Sequence, residues 1–127
     1  MRLLLDTCAF LWLAGGSELS DAAAAAIRDP SNEVLLSAVS TWEIASKYRA
    51  GRLPLPEPPD QLIPTERRLR GVAALSFDED AALQVTRLPP LHRDPFDRML
   101  ISQAIAHSLA IVTPDPLIRQ YPIRVIW

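Results

Sequence analysis

The sequence is short of the residues on which many familiar scaffolds depend. It has a single cysteine, Cys8, so it forms no internal disulfide and no zinc site built from cysteines. No stretch reaches the roughly 18 continuous apolar residues that a membrane helix needs. Asp6 interrupts the N-terminal apolar run too early for a secretion signal. We therefore expect a soluble protein of the reducing cytoplasm, with no membrane partner.

Further absences narrow the chemistry. Glycine occurs only four times, and no glycine-rich phosphate loop is present. The His-Glu-x-x-His and Gly-x-Ser-x-Gly signatures are also missing, which excludes several classes of metalloprotease and serine hydrolase. An excess of positive charge is lacking as well, because 15 acidic residues stand against 13 basic ones, a formal net charge of −2. Taken over the whole chain, this charge does not favour a nucleic-acid partner.

The chain does contain the pattern of an α/β domain. At 127 residues it has the length of one ordinary domain, and we expect residues 1–127 to form a single one. Short apolar runs alternate with segments of helical period, which is typical of helices packed around a largely parallel sheet. The predicted strands are residues 3–5, 33–36, 72–75, 110–113 and 124–126. The predicted helices are residues 7–14, 20–28, 39–50, 61–70, 78–86 and 94–109, with a helical turn at 115–120. Residues 52–64 contain five prolines and are predicted to be a loop that leads into the fourth helix.

Acidic residues follow several of the predicted strands. Asp6 follows the first strand, and Glu43 lies in the first turns of the helix after the second. Asp94 and Asp97 begin the longest helix, and Asp115 follows the fourth strand. In open α/β sheets, ligands bind beyond the carboxyl ends of the strands. We therefore expect these carboxylates to share one site.

Most of these acids also have a purely structural interpretation. Helix caps belong at the positions of Asp6, Asp94 and Asp115, and Glu43 follows Ser40 at the spacing of a capping box. Glu43 also has the spacing of an ion pair with Lys47. If caps and ion pairs explain all the acids, the chain is a binding module without catalysis.

Asp97 does not fit this explanation, because Asp94 already supplies the cap. On a helix Asp97 shares a face with Ile101 and Ala104, which should face the core, and a carboxylate there is costly unless it is compensated. Several carboxylates in one small site repel each other and bind protons unless a divalent cation lies between them. An oxygen-only site suits Mg²⁺ or Mn²⁺. The residues therefore favour metal-assisted phosphate chemistry.

The other candidate residues are weaker. His92 and His107 lack the pattern of a metal pair, and His92 is interpreted as a structural residue rather than a general base. Cys8 is predicted to be a small packed residue rather than a nucleophile. The three tryptophans and Tyr48 are expected to anchor the core or an interface.

Several segments resemble one known family, in the same order along the chain. They are Leu-Leu-Leu-Asp-Thr at 3–7, Ser-Thr-Trp-Glu-Ile-Ala at 40–45 and His-Arg-Asp-Pro-Phe-Asp-Arg-Met-Leu-Ile-Ser-Gln-Ala at 92–104. Ile-Val-Thr-Pro-Asp at 111–115 resembles the last acidic motif of that family. The chain resembles PIN-domain proteins, and specifically the VapC-like toxins of bacterial toxin–antitoxin pairs. It departs from the family at Cys8, where histidine is common, and in the prolines on both sides of Asp115.

The resemblance implies a three-layer domain with a parallel five-stranded sheet, and an endoribonuclease that depends on Mg²⁺ or Mn²⁺. The acidic residues of the family correspond to Asp6, Glu43, Asp97 and Asp115, with Asp94 as an additional acid. Asp6 and Asp97 would be the chief metal ligands, supported by Glu43 and Asp115. Hydrolysis would leave a 5′-phosphate and a 3′-hydroxyl. The implied partners are RNA, a small cognate antitoxin and a second copy of the chain.

The charge balance fits an RNA substrate once the site is considered separately. Without the five acids of the site, ten acidic residues remain against 13 basic ones, an excess of +3. The basic residues predicted to contact RNA phosphates are Lys47, Arg49, Arg52, Arg93 and Arg98. Two alternatives stay open. One is a non-catalytic PIN-like module that binds RNA or protein, and the other is a receiver-like phosphoacceptor domain, which the single lysine beside Glu43 does not favour.

Overall fold

The elements of the fold are defined by a computed structural model that describes residues 1–16 and 18–127. Within these residues the chain forms five β-strands and six α-helices. The strands are β1 (Arg2–Leu5), β2 (Glu33–Ser37), β3 (Val72–Leu75), β4 (Ala110–Val112) and β5 (Val125–Ile126). The helices are α1 (Thr7–Gly15), α2 (Asp21–Arg28), α3 (Ala38–Arg49), α4 (Pro59–Arg70), α5 (Glu79–Gln84) and α6 (Pro95–His107). Within the same residues, none of these helices has the length and apolarity needed to cross a bilayer.

The sheet is parallel throughout, in the order β3-β2-β1-β4-β5. At the centre, Leu5 of β1 lies between Leu36 of β2 and Val112 of β4. The chain moves outward from β1 to β3 and then returns to the other side of β1 to form β4. β1 and β4 therefore flank a topological switch point, where open sheets bind ligands beyond the carboxyl ends of their strands.

The central strand faces two cores, because strand side chains alternate between the faces of a sheet. Leu3 and Leu5 pack with Phe10 in the first core, which is covered by α1 to α4. Leu4 packs with Ile101 in the second core, which is covered mainly by α6. All three leucines of β1 are fully buried. This three-layer α/β arrangement with a five-stranded sheet confirms the predicted fold class.

The predicted strands and α-helices agree with the structure to within two residues at each end. The most informative difference is at α4, which begins at Pro59, so part of the predicted 52–64 loop is helical. Proline suits the first position of a helix, because the N–H group that proline lacks would have no hydrogen-bond partner within the helix at that position. Pro64 lies inside the helix and forfeits one backbone hydrogen bond. Burial of the neighbouring Leu62 and Ile63 holds the helix together at this point.

Candidate active site

A cleft of about 330 Å³ lies at the switch point of the sheet. Four of the predicted carboxylates line it, namely Asp6, Glu43, Asp97 and Asp115. They come from the ends of β1 and β4 and from helices α3 and α6, because parallel strands end at a common edge. The structure thus brings these four residues together, and their catalytic and metal-binding roles stay predictions.

Asp6 is the most constrained of these acids. It caps α1, where its Oδ1 accepts a hydrogen bond of 2.7 Å from the Ala9 amide, and its Oδ2 accepts one of 2.5 Å from the Thr113 hydroxyl. Only 5% of Asp6 is exposed. Burial raises the pKa of Asp6 to about 6 in spite of these two hydrogen bonds, and the charges of Asp97 and Asp115 add to the rise. Asp6 does cap the helix, as the structural interpretation predicts. Capping alone does not account for a pKa raised this far, and such shifts are common at functional sites.

Thr113 joins the acids at the ends of β1 and β4. Its hydroxyl donates to Asp6 and accepts a hydrogen bond of 3.0 Å from the Asp115 amide. The Oδ1 atom of Asp115 accepts a hydrogen bond of 2.9 Å from the Leu117 amide. Asp115 lines the cleft although prolines flank it. Thr113 was not predicted to belong to the site. The sequence signal for Thr113 is its position as a polar residue directly after an apolar strand, β4, which pairs with the strand that precedes Asp6.

Glu43 is held at both carboxylate oxygens. The Thr7 hydroxyl donates to Oε1 at 2.7 Å, and Lys47 Nζ donates to Oε2 at 2.5 Å. The hydroxyls of Thr7 and Ser40 lie 3.0 Å apart, so a short polar chain runs from α1 to α3. Glu43 is only 6% exposed, and the predicted ion pair with Lys47 is confirmed in a partly buried setting.

The capping-box interpretation of Glu43 is wrong. The N-cap of α3 is Ser37, whose hydroxyl accepts a hydrogen bond of 3.0 Å from the Val39 amide. Ser40 lies inside the helix and is fully buried. Because the helix begins earlier than a box at Ser40 requires, the Glu43 carboxylate is not used by the helix terminus and lines the cleft instead.

Asp97 faces the cleft from the first turn of α6. Its Oδ2 lies 2.8 Å from Nε2 of His92, and 19% of its side chain is exposed. Burial raises the pKa of Asp97, the contact with His92 opposes the rise, and the negative charges of Asp94 and Asp115 add to it. The charge repulsion expected from the sequence is therefore present.

Asp94 does not line the cleft. It caps α6, and its Oδ1 accepts hydrogen bonds of 2.9 Å from the Phe96 amide and 3.3 Å from the Asp97 amide. The structural interpretation is thus correct for this residue. Asp94 still borders the site, since ligand atoms of His92, Asp94 and Asp97 lie within 4.8 Å of one another.

The predicted RNA-contacting residues occupy different positions. Lys47 is the one that lines the cleft within the described residues. Arg49, Arg52 and Arg93 are exposed. Arg98 Nη1 lies 3.2 Å from the Tyr121 hydroxyl and also within hydrogen-bonding distance of two carbonyls in the loop before α6. Contacts of these five residues with RNA stay predictions.

Cys8 lines the same cleft but has no reactive character. It is a free, half-buried thiol. Burial, followed by the charges of Asp6, Glu18 and Asp115, raises the pKa of Cys8 to about 11. The thiol is therefore protonated at neutral pH and is not a nucleophile.

The donor set of the cleft fits a small hard cation. The acidic side chains that line it all offer carboxylate oxygens as ligands. Among the described residues, Lys47 is the only basic side chain in the lining. Burial raises the pKa of both Asp6 and Asp97, and the negative charges of neighbouring aspartates add to each rise. Mg²⁺ and Mn²⁺ prefer oxygen ligands and retain waters, so this incomplete oxygen cage suits either ion.

A curated relative matches part of the chain. Ribonuclease VapC16 of Mycobacterium tuberculosis (strain ATCC 25618 / H37Rv) is 48% identical over 54 residues. The match covers 42% of this chain and 38% of the relative, so it spans well under half of the relative's length.

Solved structures share the fold over nearly the whole chain. VapBC2 from Rickettsia felis, bound to a DNA fragment from their promoter, has a TM-score of 0.72 at 15% identity and covers 98% of this chain and 97% of that chain. VapBC-1 from nontypeable Haemophilus influenzae has a TM-score of 0.67 at 15% identity and covers 98% and 96%. At such identities the likeness establishes the fold. The sequence profile of the PIN domain matches residues 3–123, and the chain therefore belongs to the PIN domain family.

Proposed function

We propose that this chain is a metal-dependent endoribonuclease that acts as the toxin of a toxin–antitoxin pair in the cytoplasm. The observation that carries the proposal is the convergence of four carboxylates in one cleft at the switch point of a PIN domain. The match to a protein named ribonuclease supports RNA as the substrate. The free cysteine is in keeping with a reducing compartment.

Asp6 and Asp97 are proposed as the chief ligands of Mg²⁺ or Mn²⁺, with Glu43 and Asp115 in support. When bound, the cation supplies a water of lowered pKa and stabilises the charge that develops on the phosphate. Asp6 is already fixed by the Ala9 amide and the Thr113 hydroxyl, so little side-chain freedom is lost when it binds.

The remaining groups act on the water and the phosphate. Glu43 and Asp115 orient the attacking water toward the phosphorus. Lys47 Nζ, held against Glu43 on the cleft wall, places a positive charge where the phosphate oxygens approach. His92 is engaged by Asp97 and is not needed as a base on the 2′-hydroxyl, because the proposed hydrolysis leaves a 5′-phosphate.

Cleavage should depend on a divalent cation. Addition of EDTA to the purified protein should stop the cleavage of a structured RNA, and excess Mg²⁺ or Mn²⁺ should restore it. The products should be degraded by an exonuclease that requires a 5′-phosphate. Cleavage that persists in EDTA, or products that end in a 2′,3′-cyclic phosphate, would contradict the proposal. A non-catalytic binding module predicts no cleavage under any of these conditions.

We also propose a small antitoxin protein and a second copy of the chain as partners. The fold it shares with solved VapBC structures and the resemblance to VapC-like toxins support the antitoxin. An apolar surface is present for such contacts, since Trp42 is 64% exposed and its ring centroid lies 6.0 Å from that of Phe96. This exposed ring supports an interface role for Trp42, which stays a prediction.

A further inference from the structure

The loop before α6 places His92 against Asp97. Nε2 of His92 lies 2.8 Å from Oδ2 of Asp97, and only 12% and 19% of the two side chains are exposed. An ionised carboxylate only accepts hydrogen bonds, so Nε2 is the donor. The contact is therefore a short, largely desolvated, charge-assisted hydrogen bond.

His92 is held although it lies outside any helix or strand. Arg98 Nη1 lies 3.1 Å from the carbonyl oxygen of Pro89 and 3.3 Å from that of His92. It also lies 3.2 Å from the hydroxyl of Tyr121, which is buried. One guanidinium group thus fixes the backbone of the loop at two points, and the same turn of α6 carries both this anchor and Asp97.

The hydrogen bond leaves the two oxygens of Asp97 in different roles. His92 holds Oδ2, whereas no described residue donates a hydrogen bond to Oδ1. Asp97 also lines the cleft with Asp6 and Asp115. A carboxylate tied at one oxygen presents the other in a defined direction, and partners of this kind are known to orient metal ligands.

We infer that His92 is a positioning residue that fixes the Asp97 carboxylate so that Oδ1 faces the cation of the cleft. This inference rests on the proposed function and adds a residue to it. His92 acts through Asp97 and does not itself bind the cation. Arg98 supports the same arrangement by fixing the loop that carries His92.

The test is the affinity of the purified protein for Mn²⁺, measured by calorimetry at neutral pH. His92→Asn is too short to reach Oδ2, and it should weaken binding by about 10- to 100-fold. His92→Gln carries an amide nitrogen at about the distance of Nε2, and it should bind within about threefold of the wild type. His107→Asn is the matched control, because it removes a second His–Asp contact of 2.8 Å, to Asp78, outside the cleft.

The outcomes separate the inference from the proposed function. If the wild type binds Mn²⁺ and His92→Asn binds it equally well, or if Gln and Asn weaken binding alike, the positioning role is overturned and the ribonuclease proposal stands. If the wild type binds no Mn²⁺, both fail. Pulsed electron paramagnetic resonance of the Mn²⁺-loaded wild type should show no directly bound imidazole nitrogen, and such a signal would make His92 a ligand instead. This measurement needs no variant to fold.

Discussion

Asp97→Asn should abolish RNA cleavage and leave the fold intact. The substitution keeps the shape of the side chain but removes its charge and a proposed cation ligand from the cleft. A bound cation contributes several kcal/mol of transition-state stabilisation in such reactions, so the rate should fall on the order of 10³-fold. Single-turnover cleavage of a labelled RNA measures the rate, and circular dichroism verifies the fold.

Asp80→Asn is the matched control for this experiment. It makes the same change in charge at an exposed position at the start of α5. It should cleave RNA at the rate of the wild type. An Asp97→Asn variant that keeps more than a tenth of the wild-type rate would show that the carboxylate is not needed for the reaction.

Asp6→Asn should stabilise the metal-free protein at neutral pH. The pKa of Asp6 is about 6 in the folded protein, against 3.8 as its ordinary value, chiefly because it is buried. Between pH 3.8 and about pH 6, Asp6 keeps its proton in the folded state but loses it in the unfolded state. The free energy of unfolding therefore falls as the pH rises through this range. The loss of stability is nearly complete at about pH 7 and corresponds to at most about 3 kcal/mol. Asparagine avoids this cost because it carries no charge. Its side-chain oxygen can still accept a hydrogen bond from the Ala9 amide, and its nitrogen can donate one to the Thr113 hydroxyl.

Urea unfolding in EDTA at pH 7 and at pH 4 measures this effect. The gain from Asp6→Asn should be present at pH 7 and nearly absent at pH 4. Asp78→Asn is a matched control, because Asp78 also caps a helix but has a lowered pKa, owing to hydrogen bonds from the Ala81 amide and His107. It should bring no gain at pH 7. If Asp6→Asn lowers the free energy of unfolding at pH 7, the ionised Asp6 carboxylate is not destabilised by its burial and by the neighbouring charges, and the account is wrong.

Much of the fold follows from local sequence patterns. The run Leu3–Leu5 is apolar on both faces because β1 is central in a parallel sheet, and the helix caps Ser20, Asp78 and Asp94 mark starts that the structure confirms. The start of α4 does not follow in this way. Its prolines indicate a loop, and only the burial of Leu62 and Ile63 in the assembled core makes the helix stable.

The grouping of acids in the site is predictable for a topological reason, because parallel strands end at one edge and collect whatever follows them. Their hydrogen-bond partners are not predictable in this way. The contact from Thr113 to Asp6 depends on the pairing of β4 with β1, and that from Thr7 to Glu43 depends on the distance between α1 and α3. The contact between His92 and Asp97 depends on a loop without regular structure.

The most direct test of the cation site is the number of protons that the protein releases when it binds Mn²⁺. Calorimetric titrations at pH 6 and pH 8, each in buffers of different ionisation enthalpy, measure this number. Because the pKa of Asp6 is about 6, binding to the wild type should release about half a proton from this residue at pH 6 and almost none at pH 8. The double variant Asp6→Asn/Asp97→Asn should show neither binding nor proton release. Equal binding by the double variant, or no binding by the wild type, would contradict a cation site built from these carboxylates.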